Sequence, residues 1–187
     1  MLDDLPPLLT AAEFCARTNG AISESDPRVQ PLIDAVTAAV RRWCGWHVSP
    51  SVDDVMVLDG EGGRSLTLPT LHVTEVKGLV VDGVAIDPVD FDWSESGQIM
   101  LRCGQFPDRY RSVRVTVRHG FDSVSDVTQV VQQVAANAVS SALGATREQA
   151  GGVSITWALT APNVSGGVSL LARDLESLAA YRLPPRT

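Results

Sequence analysis

The chain has 187 residues, 44% of them hydrophobic and 20% charged, with a formal net charge of −7 at pH 7. That balance excludes a disordered chain, and the acidity repels naked nucleic acid at long range. No apolar run approaches the roughly 20 residues that span a bilayer. The acidic opening MLDDLPPLL predicts no leader peptide, and three scattered cysteines predict a reducing compartment rather than a disulfide framework.

The first element in chain order is announced by Thr10-Ala-Ala-Glu13, a capping box with Leu9 and Phe14 at the staple positions. Its short helix should stop at Asn19-Gly20, residues that tolerate a left-handed cap. A longer helix should follow, with Asp26 as N-cap and Pro27 in the first turn. Val29, Leu32, Ile33, Val36, Val40 and Trp43 recur at helical spacing and mark its buried face. Arg41 and Arg42 oppose the dipole at its end, and Gly45 and Pro50 bracket the exit.

From about residue 54 to 119 the period changes to two. Strands are predicted at 55–58, 65–68, 76–81, 84–86, 98–102 and 112–118, with Asp82-Gly83 as a two-residue hairpin turn. In SVRVTVR, Val113, Val115 and Val117 should face inward and Arg114, Thr116 and Arg118 outward. Gly60-Glu-Gly-Gly63 lacks a Walker lysine and a following helix, so it reads as a hairpin loop.

Helix should return near Ser125, with Val127, Val130, Val131, Val134, Ala138 and Ala142 on one face and Gly144 at the cap. Its other face is Gln, Asn and Ser, which suits contact with another protein. After it come a strand at 153–157 and a Gly/Pro/Ser-rich segment to Gly167; 144–167 has the composition of an arm that a partner orders. A last amphipathic helix uses Leu171, Leu175 and Leu178 and breaks at Pro184-Pro185. The fold class is therefore α+β: a small helical bundle with an antiparallel sandwich or barrel-like sheet inserted between the second and third helices. The expected divisions are 1–50 for the first helices, 51–120 for the inserted β-domain, 121–144 for the third helix, and 145–187 for the arm and C-terminal helix.

Enzyme chemistry finds little support. Trp43-Cys44-Gly45-Trp46 begins like a thioredoxin motif, but position 47 is His47, so the second thiol is missing. Cys44 and His47 are two ligands where a structural zinc needs four. The reading taken is that Trp43, Cys44 and Trp46 pack a helix–sheet junction, with His47 on the surface or capping. No G-x-S-x-G elbow or H-E-x-x-H helix is present. No catalytic residue, metal site or cofactor is predicted. RYRSVRVTVR, with Arg109, Tyr110, Arg111 and Arg114, is the candidate contact for a neighbouring protein or for passing DNA. Residues 1–61 carry ten acids against four arginines, whereas 101–120 carries five arginines against Asp108. Opposite poles suit head-to-tail packing of copies; an ordinary scatter of solvated charges gives the same count.

The stretches WCGWHVSPS, LTLPTLHVTEV, VDGVAI, RYRSVRVTVRHGFD and YRLPPR, in this order along nearly the whole chain, resemble the head–tail connector (adaptor, head-completion) proteins of tailed actinobacterial phages. The inserted sheet departs from the smaller all-helical members. The resemblance implies a non-enzymatic virion protein of the neck, made in the bacterial host cytoplasm. It implies a ring, usually of twelve copies, beneath the portal protein, extending the channel through which genomic DNA passes without specific binding. A stopper or other tail-side neck protein would bind below, and no membrane is involved. The resemblance also assigns portal contact to the last helix and tail, with Leu171, Leu175, Leu178, Tyr181, Arg182, Leu183 and Arg186 as candidates. The alternatives are a tail-completion or stopper subunit that does not touch the portal, and a β-rich hydrolase or carbohydrate-binding module.

Overall fold

The structure, a computed structural model, describes residues 5–18, 21–140, 147–150, 153–156 and 169–185. The expected cap at Asn19-Gly20, Ala142, Gly144, Trp157, Gly167 and Arg186 lie outside the described residues, as does most of the arm. The chain divides into a helical unit, Met1–Cys44 with Val124–Arg182, and a β unit, Gly45–Ser123 with Leu183–Thr187.

In the helical unit, α1 (Ala11–Arg17) begins at the predicted capping box. The Glu13 amide donates to Thr10 Oγ1 at 3.2 Å, and the Thr10 amide donates back to Glu13 Oε2 at 2.9 Å. Those bonds hold the Glu13 carboxyl below its usual range. The next helix, α2 (Val29–Cys44), opens two residues later than the Pro27 start predicted above. Asp26 explains the delay: its carbonyl accepts from Val29 at 3.0 Å and its carboxylate from the Arg28 amide at 2.9 Å, closing a turn over Pro27-Arg28. The Arg28 guanidinium, 2.7 Å away, pulls the Asp26 carboxyl down to about 2.

The buried stripe of α2 is Val29, Ile33, Val36, Thr37, Val40 and Cys44. Leu32 and Trp43, placed on that face from spacing, are only half-buried, because the stripe drifts toward Thr37 and Cys44. Thr37 is tolerated inside because its hydroxyl accepts from the Leu8 amide at 3.3 Å. Against α2 lies α3 (Ser125–Ser140), which buries Val127, Val130, Val131, Val134 and Ala135. Ala138, expected on the same face, is half-buried. A seven-residue helix, α4 (Ala172–Leu178), packs on α3 and runs into a 3-10 turn at Ala179–Tyr181. Leu178 is fully buried there.

The β unit is two stacked antiparallel sheets. One has the order β1 (Val52–Glu61), β7 (Asp108–His119), β3 (Val73–Val81), β4 (Val84–Ile86). The other has the order β2 (Ser65–Thr67), β6 (Gln98–Leu101), β5 (Phe91–Trp93). Val113, Val115 and Val117 point inward and pair with Leu58, Met56 and Asp54 of β1. Leu66, Phe91, Ile99 and Leu101 of the second sheet close the same core. Asp82 and Gly83 both have positive φ, 50° and 81°, so Val81 and Val84 face each other across the predicted tight turn.

Three of the β expectations need correction. Gly60–Gly63 is not a hairpin loop, because β1 pairs with β7 while β2 pairs with β6, and the segment crosses from one sheet to the other. β5, after a 3-10 turn at Pro88–Asp90, was not anticipated, since three residues are too few to show a period. In the arm two antiparallel strands pair, β8 (Arg147–Ala150) with β9 (Val153–Thr156), where a single strand is predicted.

Candidate functional site

The chain's three histidines, scattered in sequence, come together in the β unit. Gly45 leaves α2 with φ +83°, and the chain turns through Trp46, His47 and Val48, all buried. His47 is 2% exposed, so an expected place on the surface is corrected: its ring sits edge-on to His119 at 4.4 Å, and Nε2 lies 2.8 Å from the Pro50 carbonyl. Trp46 packs beside both, and Phe121 stacks on His72 at 4.5 Å with nearly parallel rings. Gly120, at φ +101°, passes so close to His47 and Pro50 that a Cβ there would stand 2.4 Å from His47 Nε2.

His119 ends β7, and its Nδ1 has no hydrogen-bond partner among the described residues. Its Nε2 lies 3.7 Å from an Asp54 carboxylate oxygen. Burial, reinforced by His47, pushes His119 down to about 4, and Asp54 offsets this only in part. The cluster is thus an aromatic plug under the ends of β1, β3 and β7. Among the described residues no group of three or more His, Cys, Asp or Glu is placed to hold a metal ion.

The opening half of WCGWH serves the other unit. Cys44 is fully buried, and burial raises its thiol to about 11, so it is not a thiolate nucleophile at neutral pH. Trp43 is half-buried in the last turn of α2, with the Arg182 guanidinium 4.9 Å above its ring.

Arg182 belongs to a C-terminal segment that the structure holds at the helical unit. Tyr181 donates to both Asp126 carboxylate oxygens at 2.9 Å. Asp174 is buried and accepts the Leu171 amide at 2.9 Å, which starts α4. Leu171 and Leu175 are half-buried. Leu183 falls in the β unit, where it lies against Gly45. Sequence reasoning missed Asp126 and Asp174; each is an acid in a helix's first turn, a signal for a cap but not for its distant partner. On the polar side of α3, Ser125, Gln129, Gln132, Gln133 and Ala136 line an open groove with Arg17 of α1. Arg17 donates to the Gln132 side chain at 3.4 Å.

The arginine strand begins in a projecting tip. Tyr110 is 85% exposed, and Arg111 beside it has φ +54°. Asp59 accepts the Arg111 amide at 2.7 Å, Arg109 pairs with Asp82, and Ser112 Oγ donates to the Arg109 carbonyl at 2.8 Å. Arg114 lies on the outer face of β7 beside Val57 and Val80.

A family model described as head completion protein matches residues 7–152. Three solved structures share the fold. A chain from the neck of a native gene transfer agent (GTA) particle computed with C12 symmetry aligns over 96% of this chain and 91% of that one, at 16% identity and a TM-score of 0.60. A chain from the virion of a native GTA particle aligns over 96% and 92%, at 16% identity and a TM-score of 0.57. A chain from the neck of an empty GTA particle computed with C6 symmetry aligns over 96% and 92%, at 18% identity and a TM-score of 0.54. No curated protein matches. With the family model covering both helical and β units, the chain belongs to the head completion protein family.

Proposed function

We propose that this chain is a subunit of a neck ring that joins a virus-like head to its tail, twelve copies sitting beneath the portal protein and extending the DNA channel. The observation that carries the reading is the end-to-end fold likeness to a neck chain in a particle computed with C12 symmetry. Three features of the chain support it. The uncharged face of α3 suits a protein neighbour in a closing, heterologous contact. The net charge of −7 suits a channel along which DNA slides without sticking. WCGWH contributes to two cores, which fits a packing element better than a reactive site.

Portal contact is assigned to the C-terminal segment, on its exposed side. Leu178 and Asp174 are engaged within the chain, so among the described residues the surface on offer is the exposed side of α4, such as Arg173 and Glu176, with Arg182, Pro184 and Pro185. The test is negative-stain imaging of the cognate portal ring with full-length protein and with a version ending at Leu183, which leaves α4 intact. A ring added by the first and not by the second supports both the adaptor role and the docking end. If neither adds a ring, the portal reading fails, and a tail-completion or stopper role on the tail side replaces it.

A further inference from the structure

We infer that the tip at Arg109–Arg111 is the contact by which one copy grips the next, and that it docks on the acidic, apolar segment Asp87–Glu95 of the neighbouring β unit. The inference rests on the ring reading above and names the surface that closes the ring.

Among the described residues Tyr110 is the most exposed large hydrophobic side chain, at 85%, so the packing of its own chain does not use it. Yet the backbone that carries it is held firmly. Arg111 stands in the left-handed region, which L side chains avoid, and the Asp59 carboxylate locks its amide there. β7 bulges here, because Leu58 pairs with Val113 and Gly60 with Arg109, which sets Tyr110, Arg111 and Ser112 opposite the single Asp59 of β1; a Cβ on Gly60 would meet the Pro107 carbonyl oxygen at 2.0 Å, so only glycine admits this close approach. The Arg109–Asp82 pair and the Ser112 hydroxyl brace the other side. A strained, braced backbone that presents a bare tyrosine between two arginines has the composition and rigidity of a binding hot spot.

The charge of the tip selects the occupant. A phosphate-binding surface is broadly basic, whereas Asp59, Glu61, Asp82 and Asp108 are interleaved with the arginines here, a mixed-charge surface that argues for protein over DNA. Among the described residues the Arg111 and Arg114 guanidinium groups form no ion pair, so both are available to an acidic partner. Such a surface exists on the same unit: Asp87, Asp90, Asp92 and Glu95 surround exposed Val89 (67%) and Trp93 (40%), with no cation between Lys77 and Arg102. Arg102 neutralises Asp92, and the other three acids have no ion-pair partner among the described residues. Two complementary patches at different places on one chain make a head-to-tail contact, which closes a ring when repeated.

The test uses full-length protein carrying Cys15→Ser and Cys103→Ser, with Cys44 left buried. Tyr110→Cys and Val89→Cys versions are mixed, assembled on the portal ring and oxidised. A cross-linked pair that forms from the mixture and from neither variant alone supports the contact. In parallel, Arg111→Glu should weaken assembly roughly tenfold, and Asp90→Arg should restore it. Rings that form normally with Tyr110→Ala and give no cross-link overturn the inference while leaving the ring reading intact. Loss of DNA retention by Tyr110→Ala with unchanged assembly also overturns it, and makes the tip a DNA contact. If even the wild-type protein adds no ring, the ring reading itself fails and the inference falls with it.

Discussion

The Tyr181 hydroxyl reaches both carboxylate oxygens of Asp126 at 2.9 Å, tying the end of the chain to the first turn of α3 across 55 residues of sequence. Burial and the carboxylate together raise the Tyr181 phenol to about 12. The neutral phenol is the form that donates, so the contribution to stability is complete below about pH 10, the unfolded value, and disappears as pH rises toward 12. Tyr181→Phe should cost about 1 kcal/mol at pH 7, as one partly exposed bond to a charge. Urea unfolding of both proteins at pH 7 and pH 11 checks this: the difference should shrink at the higher pH.

His119 gives the opposite dependence, at the acid end. Its folded value near 4 lies below the unfolded 6.5, so the unfolded chain takes up the proton first. Stability is therefore complete above about pH 6.5 and falls as pH drops toward 4. The loss should be roughly 2 kcal/mol after discounting for screening by water at the rim. Melting curves from pH 7 to pH 4.5 measure it, and His119→Phe should flatten the slope. An unchanged slope in that variant would sink the assignment.

Leu178 is the buried anchor of α4 on α3. Leu178→Ala should lose about 2–5 kcal/mol, the range for truncating a packed leucine. Hydrogen exchange offers a local readout: amides of 172–182 should exchange faster in the variant, while those of β7 keep their protection.

Gly60 and Gly120 should reject even one methyl group. At Gly60 the obstacle is a backbone oxygen, and at Gly120 a buried ring together with φ +101°. Each Gly→Ala change should cost roughly 2–3 kcal/mol through strain and overpacking. Gly83, with φ +81° and nothing within 4 Å of a built Cβ, should lose only about 1 kcal/mol, from the left-handed backbone alone. Chemical denaturation of the three variants tests the order, and equal losses would mean that close approach contributes nothing at Gly60 or Gly120.

The sequence by itself determined the elements whose cause is local. A capping box spans three residues, a two-residue turn needs its own two backbone conformations, and the alternation of β7 is written in Val113 to Arg118. From these came the α+β class and the sheet between the second and third helices. Only the tertiary structure decided which strands pair, and so that Gly60–Gly63 joins two sheets instead of closing a hairpin. It also brought His47, His72 and His119 together, set Tyr181 on Asp126, and locked Arg111 against Asp59, 52 residues away. Each of these contacts depends on the register and twist of strands or helices far apart in the chain. Periodicity shows which face of an element is buried, but not what it will meet there.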